Sequence, residues 1–185
     1  MADFPTLPTL TACSDAGVAD PRIALAHALD ALAVLVAAVD DRAYATGLAV
    51  GFHSPLGAHV RHCIDHVDAL LNGTTSGEIH YDRRERGTAM EADRAIGLVA
   101  AADRARQIRA ISDACLHSAI VVEAIVAPGS RPMRFDSTVA REVLYVLHHT
   151  VHHTALMSAL ASNLGIPVDP SVGRAPATLA HEAGR

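Results

Sequence analysis

Apolar positions along the chain recur mainly at helical spacing and break at Pro, Gly and Asn clusters. Asp20-Pro21 reads as a helix start, because Asp can cap and Pro suits the first helical position. The first helix, "PRIALAHALDALAVLVAAVDD", is apolar on most sides, which predicts deep burial. A Gly-containing linker, "ATGLAVGFHS", leads to a second helix, "PLGAHVRHCIDHVDALL", ending at Asn72-Gly73. A polar loop rich in charge follows, "GTTSGEIHYDRRERGT". Thr88 and Glu91 then have the spacing of a capping box for a third helix, "EADRAIGLVAAADRARQIRAISDA".

The next segment, "AIVVEAIVAPGSRPMRFD", is β-branched around a central Pro-Gly-Ser. It predicts a small hairpin near residues 119–126 and 131–136, with continuation of the third helix as the rival assignment. Ser137 or Thr138 caps a fourth helix that runs to about Leu164 and stops at Gly165-Ile166-Pro167. Four long helices on short connections predict an all-α four-helix bundle, with that hairpin between the third and fourth helices. Residues 1–19 read as a loose leader, 20–168 as the metal-binding domain and 169–185 as an irregular tail.

Composition narrows the function classes. The 185 residues carry a net charge of −5, and every one of the 15 basic residues is Arg. There is no basic stripe, and three Tyr, three Phe and no Trp offer little stacking surface, so nucleic acid is not an expected partner. No uninterrupted apolar run reaches membrane-spanning length, and the start lacks the basic and apolar regions of a signal peptide. Cys13, Cys63 and Cys115 are scattered and form no C-x-x-C, which fits a reducing cytoplasm.

The outlying number is twelve His, of which eight fall in two clusters: His53, His59, His62 and His66, then His148, His149, His152 and His153. On a helical wheel His149 and His153 join the apolar stripe of Val139, Val146, Met157, Leu160 and Leu164. His148 and His152 fall beside Arg141, Ala155, Ala159 and Asn163. The inward pair is H-x-x-x-H, one turn apart, so both rings can reach one divalent ion. Two neutral imidazoles in a core otherwise need partners for four ring nitrogens.

A third ligand is available on the second helix. His59, His62 and His66 share a stripe beside Leu56, Val60, Cys63, Val67 and Leu70, and the wheel does not choose among them. It places His59 and His66 nearer the apolar centre than His62. Three imidazoles from two helices form an open site, which leaves a position for an exchangeable ligand. Glu142 lies on the inward stripe. It reads either as an acid in the first helical turn or as a hydrogen-bond acceptor or general base near the metal. Asp65 flanks the second-helix histidines but faces the polar side with Arg61 and Asp68, and reads either as a solvated surface acid or, like Glu142, as an acceptor or base near the metal. A ferritin-type di-iron site is disfavoured, because the second helix carries no E-x-x-H.

"GAHVRHCIDHVDALL", "HYDRRERGTAMEADRA" and "REVLYVLHHTVHHTAL" together resemble the DinB/YfiT-like superfamily of metalloenzymes. The tail "LGIPVDPSVGRAPATL" looks like one DinB-like subgroup. The resemblance covers roughly residues 20–180. It implies a four-helix bundle holding one divalent ion, zinc or nickel, through His62, His149 and His153. The choice of His62 rests on the resemblance alone.

The resemblance also implies a metal-dependent transferase or hydrolase acting on a small molecule. In some relatives a low-molecular-weight thiol such as mycothiol, bacillithiol or glutathione takes part, with the metal lowering the pKa of a bound thiol or water. Tyr81 to Arg86 looks like a subgroup marker that either lines the pocket mouth, binding an anion through Arg83, Arg84 or Arg86, or forms a solvated loop of mutually paired charges. The contrasting expectation is a non-catalytic, stress-associated metal-binding bundle that acts through a protein partner. A homodimer is expected in either case, with the apolar first helix as a dimer face.

Overall fold

A computed structural model describes residues 20–46 and 54–184. His53, Cys13 and the expected leader lie outside the described residues.

The helix starts follow the capping chemistry. α1 (Pro21–Ala38) begins at Asp20, whose side chain accepts from the Arg22 backbone N–H. Leu25, Ala26, Leu29, Leu32, Leu35 and Val36 line its buried face. α2 (Asp41–Ala45) is one turn capped by Asp40, and its Tyr44 is fully buried with the hydroxyl donating to the Met90 carbonyl. α3 (Leu56–Ser76) outruns the expected stop at Asn72-Gly73 by about one turn and ends at Gly77, in the left-handed region at φ 82°. Gly73 is instead a packing position: a Cβ there would lie 2.3 Å from Cγ1 of Ile79.

β1 (Glu78–Ile79) follows directly. Residues 89–91 form a 3-10 turn, and α4 (Arg94–Arg109) starts later than expected, capped by Asp93 through the N–H groups of Ala95 and Ile96. The capping box does not form, because the Glu91 carboxylate is taken by the Gly87 N–H and the Arg61 guanidinium. α5 (Asp113–Leu116) is a separate turn capped by Ser112. β2 (Ala119–Ala124) and β3 (Met133–Thr138) pair antiparallel, as the hairpin assignment required. α6 (Val139–Asn163) is capped by Thr138. The tail is partly helical, with α7 at Pro176–Ala183.

The all-α four-helix bundle is therefore corrected. Among the described residues there are seven α-helices and a three-stranded mixed sheet in the order β1-β2-β3. β1 pairs parallel with β2, Glu78 opposite Val121 and Ile79 opposite Val122. The chain is mainly helical but is not a pure bundle. The sheet is integral to the core, since Ile79, Ile120 and Val122 are buried with the helix residues. Once Gly77 turns the chain out of α3, the β-branched run 119–124 supplies the strand that β1 joins.

α1 packs on α4 and α6, and α3 packs on α4 and α6. Among the described residues α1 is the one helix long and apolar enough to cross a membrane. Its leucines face the protein core, Arg22 pairs with Asp20 and Asp113, and Asp30 pairs with Arg109 of α4. Only 33% of the α1 residues are buried, so the deep burial expected on most sides is not found: the helix packs through one face and is tied down by charges at its rim.

Candidate metal centre

α3 and α6 run antiparallel along their contact. His59 meets His153, His62 meets His149, and His66 meets Tyr145. Steps of three and four residues on one helix match steps of four on the other, so each turn places one ring opposite another. The rings of His62, His149 and His153 form a nearly equilateral triangle. Their centroids lie 4.8 Å (His62–His149), 4.6 Å (His62–His153) and 4.6 Å (His149–His153) apart.

One nitrogen from each of these three rings lies within 4.8 Å of the others, close enough to hold a metal ion. Nε2 of His62 is 3.0 Å from Nε2 of His149. For tetrahedral zinc with imidazole ligands the nitrogen–nitrogen edge is about 3.4 Å. The closest pair is therefore somewhat shorter than that edge. The donor set of three imidazoles suits zinc, nickel, copper and iron alike.

The other helix histidines take different places. His59 stands behind His153, with the two Nδ1 atoms 3.1 Å apart, so one donates to the other. His66 is almost fully buried and donates from Nδ1 to the His62 carbonyl one turn back. Its ring stacks on His149 at 3.9 Å on one side and on Tyr81 at 5.2 Å on the other. His148 and His152 are exposed. The predicted split of the second cluster into an inward and a flanking pair is the arrangement found.

Burial depresses the ring pKa values, with neighbouring imidazoles adding to the effect. His62 falls to about 2, His149 to about 3 and His153 to about 4. The His59 and His66 rings are lowered as well, again mainly by burial. All three triad rings are thus neutral at pH 7, the state a metal ligand requires. Cys63 is buried beneath this face with its thiol pushed up to about 12, which makes it a core residue and not a thiolate ligand.

Glu142 does not act as a base at this centre. It is fully buried, and its carboxylate accepts from Tyr81 Oη at 2.9 Å, Ser137 Oγ at 2.6 Å and an Arg141 guanidinium nitrogen at 2.8 Å. It is a satisfied structural carboxylate, and it reaches the triad only through the Tyr81–His66–His149 stack. Asp65 is not the solvated surface acid expected: it is half-buried, its pKa is raised by burial, and it is ion-paired with the buried Arg61.

The 81–86 segment pairs mainly with other elements and little with itself. Asp82 accepts from the Ile125 N–H, Arg83 pairs with Glu123 of β2, and Arg84 donates to Nδ1 of His62 at 2.8 Å. That last contact and the Tyr81–Glu142 bond had no periodic signature in the sequence. Only the proximity of a charged loop to the second helix hinted at them.

No family model matches the chain, and no solved structure matches it. Among curated proteins it is 32% identical over 104 residues to FK506-binding protein 5 of Rhizopus delemar. The alignment covers 56% of this chain and 27% of that protein, so the chain spans about a quarter of its length. This similarity assigns no family and does not bear on the DinB/YfiT resemblance.

Proposed function

We propose that the protein binds one divalent metal ion, zinc or nickel, through His62, His149 and His153, and that it is a DinB/YfiT-like metal-dependent enzyme acting on a small molecule. The observation that carries this reading is the convergence of three neutral imidazoles from two helices on one point. Three protein donors leave at least one coordination position for an exchangeable ligand, and the triad rings are only partly buried. Both features favour a catalytic ion over a closed structural one. When bound, such an ion supplies a Lewis acid able to make a thiol or a water acidic at neutral pH.

The chain's own residues would hold and orient that chemistry. His59 offers a hydrogen-bond partner to Nδ1 of His153, leaving Nε2 of that ring for the ion. His66 braces the His149 ring from behind, and Glu142 fixes Tyr81 against His66. A low-molecular-weight thiol is the proposed co-substrate class.

The reading is tested by adding Zn²⁺ or Ni²⁺ to metal-stripped protein and following the melting temperature. At about a hundredfold excess over Kd, a rise of roughly 5–10 °C is expected for a chain of this size. His149→Ala should abolish the rise. No rise in the wild-type protein would overturn the proposal.

A further inference from the structure

Nδ1 of His62 takes a hydrogen bond from Arg84 at 2.8 Å. Guanidinium has five N–H donors and no acceptor, so His62 Nδ1 is the unprotonated nitrogen. In a neutral ring the proton then sits on Nε2, the atom that faces Nε2 of His149. A metal needs the lone pair of that same Nε2. Binding it moves the proton to Nδ1, which then faces a donor and loses its partner. The contrast with His153 is direct: its Nδ1 faces His59, a neutral ring able to donate or to accept.

Arg84 has a second peculiarity. No carboxylate lies within ion-pair distance of it among the described residues, whereas Arg61, Arg83, Arg104 and Arg134 each have one. Arg84 also lines a cavity of about 710 Å³ between α3 and the 80–90 loop. Ile64, Met90 and Ile96 give that cavity an apolar wall. Of the acids along it, Asp65, Asp68 and Glu78 are matched by Arg61, Arg104 and Arg134, while Glu85 has no ion pair among the described residues. Arg84 is the cation on this wall without a carboxylate partner among the described residues.

We infer that Arg84 is a latch on the metal centre: it holds His62 in the tautomer that cannot bind metal, and once displaced it receives the carboxylate of a small ligand seated in this cavity. That carboxylate accepts from Arg84, the side chain that joins the cavity wall to His62. Metal and carboxylate therefore bind with positive coupling, each releasing what the other needs. The inference rests on the proposed metal reading and names its substrate class, a small carboxylate with an apolar portion.

The test is the Zn²⁺ affinity of full-length protein, measured by competition with a chromophoric chelator. Arg84→Ala should bind Zn²⁺ about tenfold more tightly than wild type, since it removes a charge-assisted hydrogen bond that metal binding must break. Arg83→Ala removes the same charge from the same loop without touching His62, and its affinity should stay within about twofold of wild type. Adding acetate should tighten Zn²⁺ binding in wild type several-fold more than in Arg84→Ala.

If Arg84→Ala binds no more tightly, or Arg83→Ala gains as much, the latch is overturned. An equal acetate effect in wild type and Arg84→Ala overturns the carboxylate site. If neither wild type nor the two variants bind Zn²⁺, the metal reading itself fails and takes the latch with it.

Discussion

Nε2 of His62 stands 3.0 Å from Nε2 of His149, nearer than two ring nitrogens can sit without a proton or a cation between them. The contact joins α3 to α6 at the middle of their antiparallel seam. It places the demand for a shared particle at the centre of a seam that also pairs His59 with His153 and His66 with Tyr145.

Acidification should unfold the metal-free protein early. Burial holds His62, His149 and His153 near 2, 3 and 4, below the ordinary histidine value. The unfolded chain binds protons below about pH 6.5 that these rings refuse while folded, so stability rises with pH across that range. The cluster adds nothing to the pH dependence above about pH 7 and destabilises progressively from about pH 6.5 towards pH 4. Melting curves in chelator at pH 8, 7, 6 and 5 should show little change between the first two and a clear fall by the last. A level profile down to pH 5 would contradict the buried neutral triad.

Glu142→Ala should be among the more damaging single changes outside the triad. It strips the acceptor from Tyr81, Ser137 and Arg141 in a fully buried position. A loss of about 2–4 kcal/mol is expected by urea denaturation. Tyr81→Phe removes one of those bonds and keeps the ring against His66, so it should cost about 1 kcal/mol and leave Zn²⁺ affinity nearly unchanged.

Two glycines at the end of α3 should respond for different reasons. Gly73→Ala drives a methyl into Ile79, which cannot retreat from the buried face of β1, and should cost about 1–3 kcal/mol. Gly77→Ala meets no neighbour within 4 Å and is strained only by its positive φ, so about 1 kcal/mol is expected. Chemical denaturation of both variants checks the order; a larger loss for Gly77→Ala would contradict the packing of α3 on β1.

How legible these features were depends on whether they are periodic. His149 and His153 share a face by helical repeat alone, and Thr138 caps α6 from its local sequence. His62 was not chosen by the wheel. The structure brings it to the triad because antiparallel α3 sets it opposite His149, while His59 lands behind His153 and His66 behind His149. β1 has two residues, too short for any alternation to show, so the mixed sheet was invisible even though the β2–β3 hairpin was readable.

Thr88 and Glu91 have capping-box spacing, yet a buried Arg61 outbids the local N–H for the carboxylate. Gly173 hides a similar long-range demand. A Cβ there would lie 2.5 Å from Ala155 of α6, so the tail hugs that helix before α7 begins. Arg84 on His62 is a contact across 22 residues and belongs to no pattern within one element.

The most direct test is the metal content of gently purified native protein, measured by elemental analysis together with that of the His62→Ala, His149→Ala and His153→Ala variants. About one zinc or nickel per chain in the wild type, and far less in each folded variant, is the predicted result. Wild-type protein that carries no divalent metal and takes up none from solution would contradict the account.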